Sequence, residues 1–254
     1  MTGGRLELPG DNAVSVVAGF LSGVLGILVP MPALLTGLLG LVLPTACVCC
    51  GAAGGSWCVR CRCQLDGPVE VRRPRTLGAV PAFAVAEYVG GARRVVLAHK
   101  ERGRRELAAP IGLALAEVLP WLAAAQAQGW WLVPAPSRRS AARARGGQHM
   151  LGVARQCAAA LAAAGHRAAV APALRASAGA RDSVGLDAAA RWANLAGRIR
   201  FRPAGAPPRG ASVVLLDDVI TTGVTAAACV RALSGAGVTV SCVLAFTAAG
   251  RGDA

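Results

Sequence analysis

The chain is short of lysine and of aromatic rings, and over a long early stretch it is short of charge of either sign. Of its 27 basic side chains only Lys100 is a lysine. Aromatic residues are 4% of the total and do not interleave with the basic runs, so no stacking platform for single strands is visible. The histidines, His99, His149 and His166, have no partner spacing for a catalytic triad or a metal site and receive no role. Between Asn12 and Val59 there is no charged side chain, and residues 13–43 are almost wholly apolar. Pro30 and Pro32 divide that run: residues 13–29 are marginal in length for a membrane span and 33–43 too short. Arg5 balanced by Glu7 is a poor start for a secretory signal. The leader, 1–43, is expected to be helical, either packed on the body, in contact with a membrane interface, or preceding the true start. The location this implies is cytoplasmic, with peripheral membrane association through 13–43 left open.

What is present is strongly basic. Against 13 acidic residues the net charge is +14, a surface that attracts nucleic acid, anionic lipid or a multiply phosphorylated small molecule. Heavy Arg, Ala and Gly usage is also what GC-rich codons produce, so charge alone carries no specificity. Nine cysteines occur, and Cys47, Cys49, Cys50, Cys58, Cys61 and Cys63 crowd into one short segment. A chain of 254 residues can build a core without disulfide staples. Two CxxC pairs, Cys47/Cys50 and Cys58/Cys61, therefore point to metal: tetrahedral zinc takes four thiolates at about 2.3 Å. Cys49 and Cys63 are rival ligands, and redox-active or incidental cysteines are the alternatives. Cys157, Cys229 and Cys242 lie in apolar surroundings and are expected in the core.

Three zones follow: the leader 1–43, a Cys-rich knuckle and Arg/Pro linker 44–75, and an α/β domain 76–250. In the last, strands are expected at 82–88, 130–133, 168–174, 211–216 and 238–246. Helices are expected at 92–99, 106–119, the later part of 141–164, 187–195 behind an Asp187 cap, and 224–233. Strand and helix alternate, the pattern of a doubly wound parallel sheet.

The informative stretch is Val213-Val-Leu-Leu-Asp217-Asp218-Val219-Ile220-Thr221-Thr222-Gly223-Val224-Thr225. A continuous apolar run is the mark of a central parallel strand buried on both faces. Two carboxylates stand at its carboxyl end, where open α/β sheets bind ligands. The Thr/Gly turn then opens a helix whose first N–H groups can cradle a phosphate, with the threonine hydroxyls as added donors. The bland alternative is a tight connection with solvated acids, but capping needs one acid and not two.

This stretch resembles the phosphoribosyl pyrophosphate signature of type I phosphoribosyltransferases. The remaining motifs are similar, in order, to those of the ComF family. They are Leu43-Pro44 before the CxxC pairs, Tyr88-x-Gly90, Arg93-Arg94, Lys100-x-x-Gly103, Leu132-Val-Pro134-Ala135-Pro136, Arg145-Gly146 and Arg191-x-x-Asn194. The resemblance spans about residues 41–247. It implies a phosphoribosyltransferase-like fold with Asp217 and Asp218 on the ribose hydroxyls and 219–225 around the 5′-phosphate. It puts Pro134, Ala135, Pro136 and Arg145 near pyrophosphate and makes Lys100 a point charge beside the site. Arg138, Arg139 and Arg143 join Arg145 as a clamp, a nucleic-acid track or a solvated face. Mg²⁺ would accompany the ligand, and structural Zn²⁺ would sit at Cys47, Cys50, Cys58 and Cys61. The implied activity is transfer of phosphoribosyl to a nitrogen nucleophile. The alternative is a non-catalytic accessory protein of DNA uptake, binding single-stranded DNA or partner proteins. One departure stands out: where the family has an aromatic, Asn and Gln after its Arg-Gly, this chain has Gly147, Gln148 and His149.

Overall fold

Val213, Val214, Leu215 and Leu216 leave no polar face, so the strand that carries them needs cover on both sides. In a computed structural model, which describes residues 46–65, 67–73, 77–78, 80–122, 129–137, 148–177 and 199–250, it has that cover. The leader, the arginines at 138, 139, 143 and 145, the helix expected at 187–195, Arg191 and Asn194 lie outside the described residues. Among the described residues no helix is long and apolar enough to cross a membrane.

The chain is α/β with a mostly parallel six-stranded sheet. Its strands are β1 (Val69–Glu70), β2 (Ala82–Glu87), β3 (Trp130–Pro134), β4 (Ala168–Val170), β7 (Ser212–Ile220) and β8 (Thr239–Ala248), in the order β1-β2-β8-β7-β3-β4. Only β1 is antiparallel, on β2 at one edge. The remaining short strands, β5 (Leu174–Ala176) and β6 (Ile199–Phe201), pair antiparallel with each other. Strand β7 is central, parallel to both β3 and β8.

Its alternate side chains feed two cores. Val214 and Leu216 pack with α2 (Gly90–Lys100), α3 (Ala108–Leu122) and α4 (His149–Ala163). Val213 and Leu215 pack with α5 (Val224–Ser234) and the β5–β6 pair. Each of these fully buried side chains contributes roughly 1.5–3 kcal/mol. Cys47 and Trp57 of the cysteine knuckle join the first core, Trp57 edge-on to Phe246 at 5.7 Å. A four-residue helix, α1 (Val59–Arg62), lies within that knuckle.

Three elements differ from expectation. Strand β7 does not stop at Leu216: its ladder with β8 continues to Ile220↔Ala248, so both acids lie on the strand. The single strand expected at 168–174 is two. Pro172, which has no N–H to give a ladder, separates β4 in the main sheet from β5 in the small one. The linker also supplies β1, which its Arg/Pro composition had not suggested.

Candidate functional site

The carboxyl ends of β3, β7 and β8 come together by register. Pro134 pairs with Leu216, and the N–H of Ala135 donates to the Leu216 carbonyl at 2.8 Å. The Pro134–Ala135–Pro136 loop is thus fastened beside the acids, with Pro134 and Ala135 buried. On the other side Asp217 pairs with Ala245 and Val219 with Thr247, whose hydroxyl donates to the Asp218 carbonyl at 3.1 Å.

After Ile220 the chain turns. Thr221 and Thr222 are exposed, and Gly223 caps α5 with φ +77°, a left-handed conformation that favours glycine. Gly223 offers no capping side chain, and the first N–H groups of a helix have no intrahelical acceptor, so the positive end of α5 faces the carboxyl edge. Arg73 of the linker holds the turn from outside. Its guanidinium donates to the carbonyls of Thr221 (2.8 Å), Ala249 (2.8 Å) and Gly250 (3.0 Å). The side chains of Val224 and Thr225 are half-buried, whereas Ile220 is buried in the second core and Val219 packs against the first. The last two can meet a ligand only through backbone. Arg145 lies outside the described residues.

The two acids are unlike. Asp217 is buried; its Oδ1 accepts the N–H of Asp218 at 2.9 Å. Burial, and then the negative charge of Asp218, push its carboxyl well above the usual carboxylate range. Asp218 is buried too, which acts against its charge. The hydrogen bond from His149 and the ammonium of Lys100 more than offset this and hold it below that range. The pair thus favours a proton on Asp217 and a charge on Asp218.

Lys100, the last residue of α2, places Nζ 2.8 Å from Asp218 Oδ2. Burial opposes its charge, but Asp218 raises it above the ordinary lysine value. His149, given no role from sequence, opens α4 and brings Nε2 to 2.9 Å from the same Oδ2. Its Nδ1 lies 2.8 Å from Ser137 Oγ, just after the Pro134–Pro136 loop. A hydrogen-bonded chain Ser137–His149–Asp218–Lys100 therefore ties that loop, α4, β7 and α2 together. Because an ionised carboxylate only accepts, Nε2 carries a proton and donates it to Asp218. His149 stands where the resemblance leads one to expect a glutamine. That position was the one signal that marked it.

The cysteine knuckle forms a second site. The sulfurs of Cys47, Cys50, Cys58 and Cys61 all lie within 4.8 Å of one another, and four such thiols can hold a metal ion such as zinc. Cys50 and Cys58 are 3.7 Å apart, close to the about 3.8 Å edge of a tetrahedron with 2.3 Å metal–sulfur bonds. Burial works against the Cys47 thiolate, yet backbone N–H groups of Cys58, Cys50 and Cys49 bring the thiol down to about 6. Of the rival ligands, Cys49 turns its sulfur to the Gly91 carbonyl at 3.5 Å, and Cys63 is exposed outside the cluster. Cys157, Cys229 and Cys242 are buried in the two cores, as their surroundings suggest.

No protein-family model matches the chain, and no curated protein matches it.

Proposed function

We propose that the carboxyl edge of the sheet binds phosphoribosyl pyrophosphate, in the manner of a type I phosphoribosyltransferase of the ComF kind. The observation that supports this most is the position of Asp217-Asp218. The pair lies near the carboxyl end of a strand buried on both faces, stands next to the Pro134–Pro136 loop, and is followed after Val219 and Ile220 by the Gly223 turn and the positive end of α5. Acids take the ribose hydroxyls, the 221–225 turn takes the 5′-phosphate, and Lys100 supplies positive charge for pyrophosphate. Mg²⁺ would neutralise the leaving pyrophosphate. With Asp217 driven towards its neutral form and Asp218 already paired, the ion would be held mainly by ligand oxygens, as Mg²⁺ commonly is.

Transfer would break the C1–oxygen bond to pyrophosphate as a nitrogen nucleophile forms its bond to C1. The protein's part is to fix the sugar and stabilise the departing charge. The four-cysteine cluster is read as a structural Zn²⁺ site.

Calorimetric titration of phosphoribosyl pyrophosphate with Mg²⁺ tests the pocket. Asp217→Asn/Asp218→Asn should lower affinity roughly a hundredfold, since the charge-assisted acceptor at Asp218 and the hydrogen-bond partner at Asp217 are both lost, while the circular dichroism of the fold persists. Unchanged affinity in this variant would sink the assignment. Where binding holds, pyrophosphate release with candidate nitrogen acceptors then tests transfer.

A further inference from the structure

Asp218 is heavily engaged before any ligand arrives. Asp218 Oδ2 takes both Lys100 Nζ at 2.8 Å and His149 Nε2 at 2.9 Å, and Oδ1 takes the N–H of Val219 at 2.8 Å. A carboxylate offers about four acceptor positions, and three of these are filled in a buried setting. A vicinal diol brings two O–H donors, and the neighbouring Asp217 already accepts the N–H of Asp218. With Asp217 buried, a diol that sets both hydroxyls on Asp218 needs two acceptor positions where one is open, so one present donor has to leave.

The two donors on Oδ2 are not equally able to go. The His149 side chain is 10% exposed, is held at its other nitrogen by Ser137 at 2.8 Å, and meets the His99 ring edge-on at 5.8 Å. Lys100 is at the end of its helix, its side chain is 36% exposed, and its charge sits on a four-carbon stem with free rotation.

We propose that Lys100 is a displaceable latch on Asp218, and that His149 is the positioning residue that keeps this carboxylate oriented once the latch has moved. This rests on reading the acid pair as the diol site. On ligand entry the ammonium passes from Asp218 to an anionic group of the ligand, so one ion pair replaces another, and the sugar hydroxyl takes the vacated acceptor position. The exchange is a specificity device. A sugar phosphate with pyrophosphate on C1 gives Lys100 a new partner. One with a hydroxyl there, such as ribose 5-phosphate, breaks the ion pair without replacing it.

The test is a pair of titrations on the full chain, with phosphoribosyl pyrophosphate plus Mg²⁺ and with ribose 5-phosphate. In Lys100→Met the first ligand should weaken by roughly tenfold or more, the loss of one charged contact, while ribose 5-phosphate tightens. In His149→Ala both ligands should weaken in equal proportion. His149→Gln, whose amide can donate to Asp218, should recover both. Equal weakening of the two ligands in Lys100→Met would overturn the latch while leaving the diol site standing. Failure of the wild type to bind either sugar phosphate would remove the diol reading itself, and the latch with it. A measurement without substitution guards against a variant that does not fold. Lys100 is the only lysine, so ¹³C-lysine labelling gives a single Cε signal from the end of this side chain. That signal should shift on saturation with phosphoribosyl pyrophosphate; a stationary signal would contradict the exchange.

Discussion

At the scale of single residues, burial and one fixed hydrogen bond decide what an imidazole does. His99 is 5% exposed, and its Nδ1 lies 3.1 Å from the Arg104 carbonyl. A carbonyl only accepts, so Nδ1 carries the proton and Nε2 is a bare acceptor, buried without a hydrogen-bond partner among the described residues. Burial is the main reason its pKa falls below the ordinary 6.5. The unfolded chain therefore binds a proton before the folded one does. Stability from His99 is complete above 6.5 and is lost as pH falls from there through the folded value, by up to about 1.4 kcal/mol per pH unit. Urea unfolding between pH 7 and 5 should show this decline, and His99→Asn, which keeps a donor to Arg104, should flatten it. A decline of the same slope in the variant would assign it elsewhere. His149 shows the limit of sequence at this scale. Asp217 and Asp218 announced themselves by ending an apolar run, whereas the partners of His149 are 12 and 69 residues away and no local spacing connects them.

At the scale of elements, legibility followed the continuity of the apolar pattern. Strand β7 and helix α5 were readable because unbroken Val/Leu and Ala-rich runs meet at a Thr-Thr-Gly turn. Strands β5 and β6 were not, because three-residue segments held by long-range pairing leave no periodic trace. The packing of α3 on α4 is also invisible in sequence, although it fixes where His149 stands. The helices approach at Gly112, where a Cβ would come within 2.7 Å of the Cys157 nitrogen and 2.9 Å of the Val153 carbonyl. Both are backbone atoms and cannot rotate away. Gly112→Ala should therefore destabilise by about 1–3 kcal/mol as the helices are forced apart. This would outweigh alanine's better helix propensity of about 1 kcal/mol. Denaturant midpoints decide it, and a variant as stable as wild type would mean that the helix contact is looser than this.

At the scale of the whole molecule, the cysteine knuckle and the sheet depend on each other. The knuckle has little core of its own: its short helix buries no residue, and what anchors it is Cys47 and Trp57 set into the first core. Arg104 adds a hydrogen bond to the Ala46 carbonyl at 3.1 Å, and Arg62 an exposed ion pair with Glu117 at 3.5 Å, which counts for little. Trp57 rests on Phe246, and Phe246 lies on β8 between Ala245 and Thr247, the residues that pair with Asp217 and Val219. A metal that ties four thiols in two turns would hold Trp57 in place and so support the strand beside the acids. Purified protein should then contain one equivalent of zinc, and Cys47→Ser/Cys50→Ser should lose it. Freeing the knuckle would forfeit about 3–5 kcal/mol of tryptophan packing. At about 2–4 °C per kcal/mol for a domain of this size, chelation should lower the thermal midpoint by on the order of 10 °C. Affinity at the acid pair should fall with it, since the β8 segment beside Asp218 loses its cover. A metal-free protein with an unaltered midpoint would show that Trp57 is held by packing alone and that the two sites are independent.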